Sequence, residues 1–221
     1  MISNELTNSF SWKRSLLAGI FISLGAIFSL NVSGYGMIAR GLCFGFGLYG
    51  VLICNAQLFT GSILKIERLW TGHRDIFDLL TFWLVIWIFN MLGVWIVVLL
   101  SQGFDLHASA MATARQTMPI DQLFIKSIFC NFLVCLSAWI YNHHAKNPVN
   151  AFLAVLLPVT CFIVCGFEHS IADMFYMMMG IVTKSSDAWD FFRVVGITTI
   201  GNVLGGFIFT FLVSRAKFRI V

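Results

Sequence analysis

The sequence predicts an all-α integral membrane protein: six transmembrane helices in a 3+3 inverted repeat, with the second and fifth helices broken. Three observations lead there. The 221 residues are 59% hydrophobic and only 11% charged, against about 25% charged residues in soluble globular domains. Six apolar runs are each long enough to cross a bilayer, which takes about 20 helical residues. Polar residues interrupt two of those runs at corresponding places in the two halves of the chain. No polar stretch is long enough for a separate soluble domain, so residues 1–221 read as a single transmembrane domain with halves of about 1–108 and 109–221.

The first run, Ser15 to Val32, follows Lys13 and Arg14 as a signal peptide would. It lacks a small-residue cleavage site and reads as a retained helix. The second, Leu42 to Leu64, contains Asn55-Ala56-Gln57-Leu58-Phe59-Thr60-Gly61-Ser62. Polar residues there predict a helix broken at membrane depth, tolerated only where protein or a water-filled cavity satisfies the freed backbone groups. The third run, Phe77 to Leu100, carries Asn90-Met91-Leu92-Gly93, and the fourth extends from Leu123 to Tyr141.

The fifth run, Phe152 to Val182, is interrupted by Gly166-Phe167-Glu168-His169-Ser170-Ile171-Ala172-Asp173. Neither part spans alone, and together they put Glu168 and His169 near the midplane. An ionisable group there costs at least about 2.5 to 3.5 kcal/mol, so it should face a cavity or a partner. The sixth run, Val194 to Val213, carries Asn202-Val203-Leu204-Gly205, the pattern of the third run 112 positions later. One such match could arise from small residues at helix contacts. Joined to two breaks and an odd number of spans per half, it predicts inverted repeats with a site at the midplane, a common transporter plan.

Nine basic residues fall on the side of the termini (Lys13, Arg14, Lys65, Arg68, Arg74, Lys146, Arg215, Lys217, Arg219) and five on the other (Arg40, Arg115, Lys126, Lys184, Arg193). The bias predicts cytoplasmic termini. A net charge of +4 gives no reason to expect nucleic acid. The cysteines Cys43, Cys54, Cys130, Cys135, Cys161 and Cys165 lie in apolar runs without zinc-site spacing and read as small packing residues. We expect no metal and no cofactor.

His169 is the one histidine within a span; His73, His107, His143 and His144 lie in loops or at span ends. An imidazole beside Glu168 at a helix break can donate to an anion or exchange a proton, or else be a satisfied structural group. Thr60 in the other break is either a cap or a hydroxyl for a small anion, favoured by the partial positive charge of half-helix N-termini. Lys126 either snorkels or concentrates anions at a vestibule. Phe44, Leu48, Phe59 and Phe162 are packing residues, or hydrophobic constrictions if they line a pore.

Four stretches, NAQLFTGS, KSIFCNFLVCLSAW, GFEHSIADMF and GNVLGG, resemble in order the signatures of the formate/nitrite transporter family across the whole chain. The resemblance implies an aquaporin-like monomer fold and a homopentamer in which each subunit has its own pore, here in a bacterial plasma (inner) membrane. It implies that His169 is the central histidine and Thr60 the threonine of the second-helix break. By the same resemblance Phe44, Leu48, Phe59 and Phe162 narrow the pore, Lys126 is a vestibule cation, Asn131 a polar pore residue and Asn202 the Asn of the sixth-helix motif.

Three departures stand out. Gln57 replaces the usual acid before Leu-Phe-Thr, Asp173 replaces the usual Asn, and little chain precedes the first span. The first two could be one charge relocated between the breaks. In that case Gln57→Glu should restore what Asp173→Asn impairs.

An anion that crosses as its neutral acid avoids most of the desolvation cost of an apolar pore. The expected function is therefore transport of a small monovalent anion, passively or with a proton. Formate leads; nitrite, hydrosulfide, acetate and lactate compete. A neutral-solute facilitator would want paired Asn-Pro-Ala breaks, and an intramembrane enzyme a nucleophile, metal set or redox pair aligned within the spans; neither break has Asn-Pro-Ala, and the sequence has no Gly-x-Ser-Gly and no Cys-x-x-Cys. The expected partners are the anion, protons, the lipid bilayer and four further copies of the chain, and no enzymatic activity is expected.

Overall fold

The computed structural model describes residues 10–72, 75–104 and 108–215. Residues 1–9, His73, Arg74, His107, Lys217 and Arg219 lie outside the described residues, so the expectations placed on them go no further here.

Helix α1 (Trp12–Asn31) starts where the Ser11 hydroxyl accepts from the Arg14 N–H. Helix α2 (Met37–Ile53) stops at Cys54, and the chain runs irregularly to α3 (Phe59–Ser62), a 3-10 turn (Ile63–Ile66) and α4 (Glu67–Trp70). Asp75 caps α5 (Ile76–Leu100). Helix α6 (Ala108–Gln116) leads through Pro119 into α7 (Ile120–His144). Asn147 caps α8 (Pro148–Val164), with Pro148 in the first turn, where its missing N–H costs nothing. After a second irregular stretch come α9 (Ser170–Val182) and α10 (Ala188–Arg215).

Among the described residues four helices, α1, α5, α7 and α10, are long and apolar enough to cross a membrane; α2, α8 and α9 are apolar but shorter. Their outward surface carries Phe46, Trp95, Phe129, Phe192 and Ile200, all exposed, as lipid-facing helices require, since lipid tails exert no hydrophobic penalty on such side chains. Cys130 and Cys135 are buried as expected; Cys54, Cys161 and Cys165 are instead exposed, and all six cysteines are free.

Helix α1 packs on both α2 and α5, as α7 does on α8 and α10, and α2 meets α8. Small residues permit the approach. A Cβ at Gly93 would lie 2.1 Å from the Leu16 carbonyl oxygen, and one at Gly205 2.1 Å from that of Ile128. The neighbours are backbone and have nowhere to go. Gly205→Ala is expected to lower stability by about 1–3 kcal/mol, the usual cost of overpacking, with Gly93→Ala matching it; thermal unfolding in detergent reads both. Trp87 Nε1 donates to Thr199 Oγ1 (3.2 Å), tying α5 to α10.

Candidate functional site

Both interruptions turn through a left-handed residue, Asn55 (φ 50°) and Gly166 (φ 63°). Each is braced by an asparagine. The Asn90 Nδ2 donates to the carbonyls of Ser15 (2.7 Å) and Gln57 (2.9 Å), and its Oδ1 accepts from the Phe59 N–H (2.8 Å). The Asn202 Nδ2 donates to the carbonyls of Ser127 (2.8 Å) and Glu168 (3.0 Å), and its Oδ1 accepts from the Ser170 N–H (2.8 Å). Both side chains are fully buried with both polar atoms bonded, one N–H on a helix carbonyl and the rest on the irregular stretch or the first residue of the helix after it.

Thr60, just after the first irregular stretch, and His169, at the end of the second, meet. His169 precedes α9, and its Nδ1 accepts from the Ala172 N–H (3.2 Å). That bond occupies the Nδ1 lone pair and assigns the proton of the neutral ring to Nε2. The Nε2–H therefore donates to Thr60 Oγ1 at 2.9 Å, and the Thr60 hydroxyl proton is left to donate elsewhere. The Thr60 carbonyl accepts from Asn131 Nδ2 (3.3 Å), which also donates to the Asn202 carbonyl (2.7 Å). Asn131 Oδ1 is buried without a hydrogen-bond partner.

Aromatic rings close round this link. Phe44 stands edge-on to Phe162, centroids 5.6 Å apart, and Phe162 stacks on the His169 ring at 6.3 Å. Phe44, Leu48, Phe59 and Phe162 are all buried.

A cavity of about 160 Å³ on one side is lined by Arg40, Phe44, Arg115, Lys126, Phe162 and His169, among others. A second, of about 190 Å³, is lined by Arg14, Leu48, Gln57, Lys65 and Asn142, among others. A larger cavity of about 430 Å³ is apolar, with Trp87, Trp95 and Phe192 in its wall, and touches neither break. Lys126 Nζ lies 4.0 Å from where a side chain at Gly166 would begin. Across the molecule the Arg14 guanidinium donates to the Asn55 carbonyl and to Asn55 Oδ1, so each left-handed turn has a cation beside it.

Sequence reasoning missed Arg115. It counted as a loop cation, whereas α6 delivers it into the protein, 7% exposed. Its Nε donates to Asp173 Oδ1 (2.6 Å), its Nη2 lies 2.7 Å from Glu168 Oε2, its Nη1 donates to the Met111 carbonyl (3.1 Å), and its plane covers the Tyr176 ring at 4.3 Å. Burial disfavours the Arg115 charge, but the carboxylates of Glu168 and Asp173 outweigh it and hold its pKa above the usual value. The acid that departs from the resemblance, Asp173, thus has its cation at Arg115. Gln57 is placed elsewhere, its Oε1 accepting from the Ser11 N–H (2.8 Å) and Ser15 Oγ (3.3 Å). No helical period marks residues 101–119 strongly enough to have revealed α6 beforehand.

The chain is 29% identical to the "Formate channel FocA" of Escherichia coli strain K12 over 230 residues, covering 87% of this chain and 80% of that one. It is also 29% identical to the "Nitrite transporter NirC" of Salmonella typhimurium strain LT2, over 90% of this chain and 79% of that one. Among solved structures it superposes on an "FNT family ion channel" with a TM-score of 0.86 at 26% identity, over 93% and 88% of the two chains. A "Pentameric formate channel with formate bound" aligns with a TM-score of 0.79 at 26% identity, over 96% and 97%. Residues 4–216 match the family model described as "Formate/nitrite transporter", and the chain, a multi-pass membrane protein of transporter rather than enzyme kind, belongs to the formate/nitrite transporter family.

Proposed function

We propose that this protein moves a small monovalent anion, formate first, through a pore within each subunit of a homopentamer, together with a proton. The observation that carries the reading is the His169–Thr60 hydrogen bond: it joins the two breaks behind aromatic rings, between two cavities that each contain basic side chains. In this reading α2 with α3, and α8 with α9, are the broken second and fifth of six spans. The halves are inverted repeats of about 1–108 and 109–221, and both termini face the cytoplasm across a bacterial plasma membrane. The matched asparagine braces and the paired left-handed turns support the repeat. The names of the relatives and of the pentameric structure support the anion and the assembly.

Lys126 draws the anion into the first cavity, with Glu168 in the wall beside it. Phe44 and Phe162 strip its water on that side, Leu48 and Phe59 on the other. Between them the Thr60 hydroxyl and the His169 Nε2–H supply donors where a bare anion would meet only apolar surface. Asn131 adds a buried amide next to Thr60, and Asn202 holds the break in shape. Protonation at this point removes the charge and with it most of the penalty of the second constriction.

Anion flux into proteoliposomes across a pH series tests the reading, with wild type compared against His169→Asn after both are checked for equal assembly. Wild type is expected to carry formate faster as external pH falls. The variant should conduct while losing that dependence. Identical pH profiles would make His169 a cap for α9 and no proton partner, and absence of flux for formate, nitrite and hydrosulfide alike would end the anion assignment.

A further inference from the structure

We propose that Arg40 captures the incoming anion at the first cavity, and that its fork of donors selects planar anions with two oxygens, such as formate and nitrite, over hydrosulfide. The inference rests on the transport reading above and narrows it to a ligand class. Arg40 sits in the first turn of α2, four residues before Phe44 and so on the same helix face, and it lines the first cavity with Phe44, Lys126 and His169.

What distinguishes Arg40 is the quality of its contacts. Its Nη1 lies 3.7 Å from Met37 Sδ and its Nη2 3.5 Å from Met111 Sδ, while Nε is buried with no hydrogen-bond partner among the described residues. Thioether sulfur is a weak acceptor, and a guanidinium carries five donors. No carboxylate pairs with Arg40 among the described residues. Arg115, by contrast, spends its donors on Asp173, Glu168 and the Met111 carbonyl and its face on Tyr176. Of the two arginines in the wall, Arg40 is the one whose strong donors await a ligand.

The form of the group sets the class of ligand. A guanidinium offers two parallel N–H bonds at a spacing that matches the two oxygens of a carboxylate. Formate and nitrite present that pair. Hydrosulfide presents a single atom. Lys126 is a compact, strongly hydrated point charge that attracts any anion with little regard to shape, so discrimination at this mouth falls to Arg40. The two sulfur contacts hold the guanidinium without competing for the ligand.

The test measures half-saturating concentrations for formate, nitrite and hydrosulfide at fixed pH in proteoliposomes of wild type, Arg40→Lys and Arg40→Gln. Arg40→Lys keeps the charge and loses the fork. It is expected to raise the ratio of the formate to the hydrosulfide value by about tenfold, the equivalent of one charge-assisted hydrogen bond, and nitrite should follow formate. Arg40→Gln should raise all three values. An unchanged ratio in Arg40→Lys overturns the inference while leaving transport intact. If wild type moves none of the anions, the transport reading fails and takes the inference with it. Wild-type vesicles give an arm independent of folding: nitrite must inhibit formate uptake more strongly than hydrosulfide does at equal concentration, and equal inhibition also overturns the proposal.

Discussion

Arg115→Gln is expected to destabilise the protein by about 3–5 kcal/mol, the cost of removing one partner from a buried charge cluster. The substitution leaves the carboxylates of Glu168 and Asp173 facing each other, 5% and 0% exposed, without their cation. Because those acids flank His169, the damage should also reach transport. Adding Asp173→Asn to Arg115→Gln removes one of the two stranded acids and is expected to recover much of the loss. Gln57→Glu is not expected to rescue Asp173→Asn, contrary to the idea of a charge relocated between the breaks. Gln57 bonds to the start of α1, whereas Asp173 is satisfied from α6. Thermal unfolding of the four variants in detergent decides the point, and a rescue by Gln57→Glu would return the argument to relocation.

Asn202→Leu is the second large effect. It deletes three buried hydrogen bonds at once, leaves the Glu168 carbonyl and the Ser170 N–H without this partner, and strips the second bond from the Ser127 carbonyl, which keeps its intrahelical one. Each orphaned group costs about 1–3 kcal/mol, so the total is expected to be roughly 3 kcal/mol or more. Asn90→Leu should cost a similar amount through its own three bonds. A loss below about 1 kcal/mol for either, read by the same unfolding measurement, would mean that water replaces the amide and the brace is dispensable.

Much of this was legible in the residues, for a physical reason. Apolar length reports directly on the cost of polar groups in hydrocarbon, so the long apolar helices could be read within a few residues. The observed α7 and α10 begin earlier, at Ile120 and Ala188, than hydropathy alone suggested, because charged residues, Asp121 in the one and Asp190 with Arg193 in the other, interrupt the apolar run there. Thr60 and His169 were legible as polar residues in the two interrupted runs, but their direct contact across 109 positions was not. Asn90 and Asn202 were visible as a repeated pattern, but their work on the irregular backbone was not.

What stayed hidden were the partners of cations in the connecting segments. Nothing around Arg115 announces burial, since Asp173 lies 58 residues away and α6 itself is a short alanine-rich helix with little apolar period. Arg40 and Arg115 look alike in sequence, two basic residues outside the apolar runs. Only the side chains around them separate a saturated guanidinium from one in contact with two methionine sulfurs.

The bond between Trp87 and Thr199 has a consequence for ancestry. These residues are 112 positions apart, the spacing that relates Asn90 to Asn202. Under the proposed repeat, a position that touches its own counterpart lies on the axis relating the two halves. In an ancestor made of two identical half-length chains, that position would have met a copy of itself, indole against indole or hydroxyl against hydroxyl. Trp opposite Thr is a pairing that two identical half-chains cannot form, because it needs the two sides of the axis to have diverged. The tie between α5 and α10 thus belongs to a time after duplication, when the halves no longer had to be interchangeable.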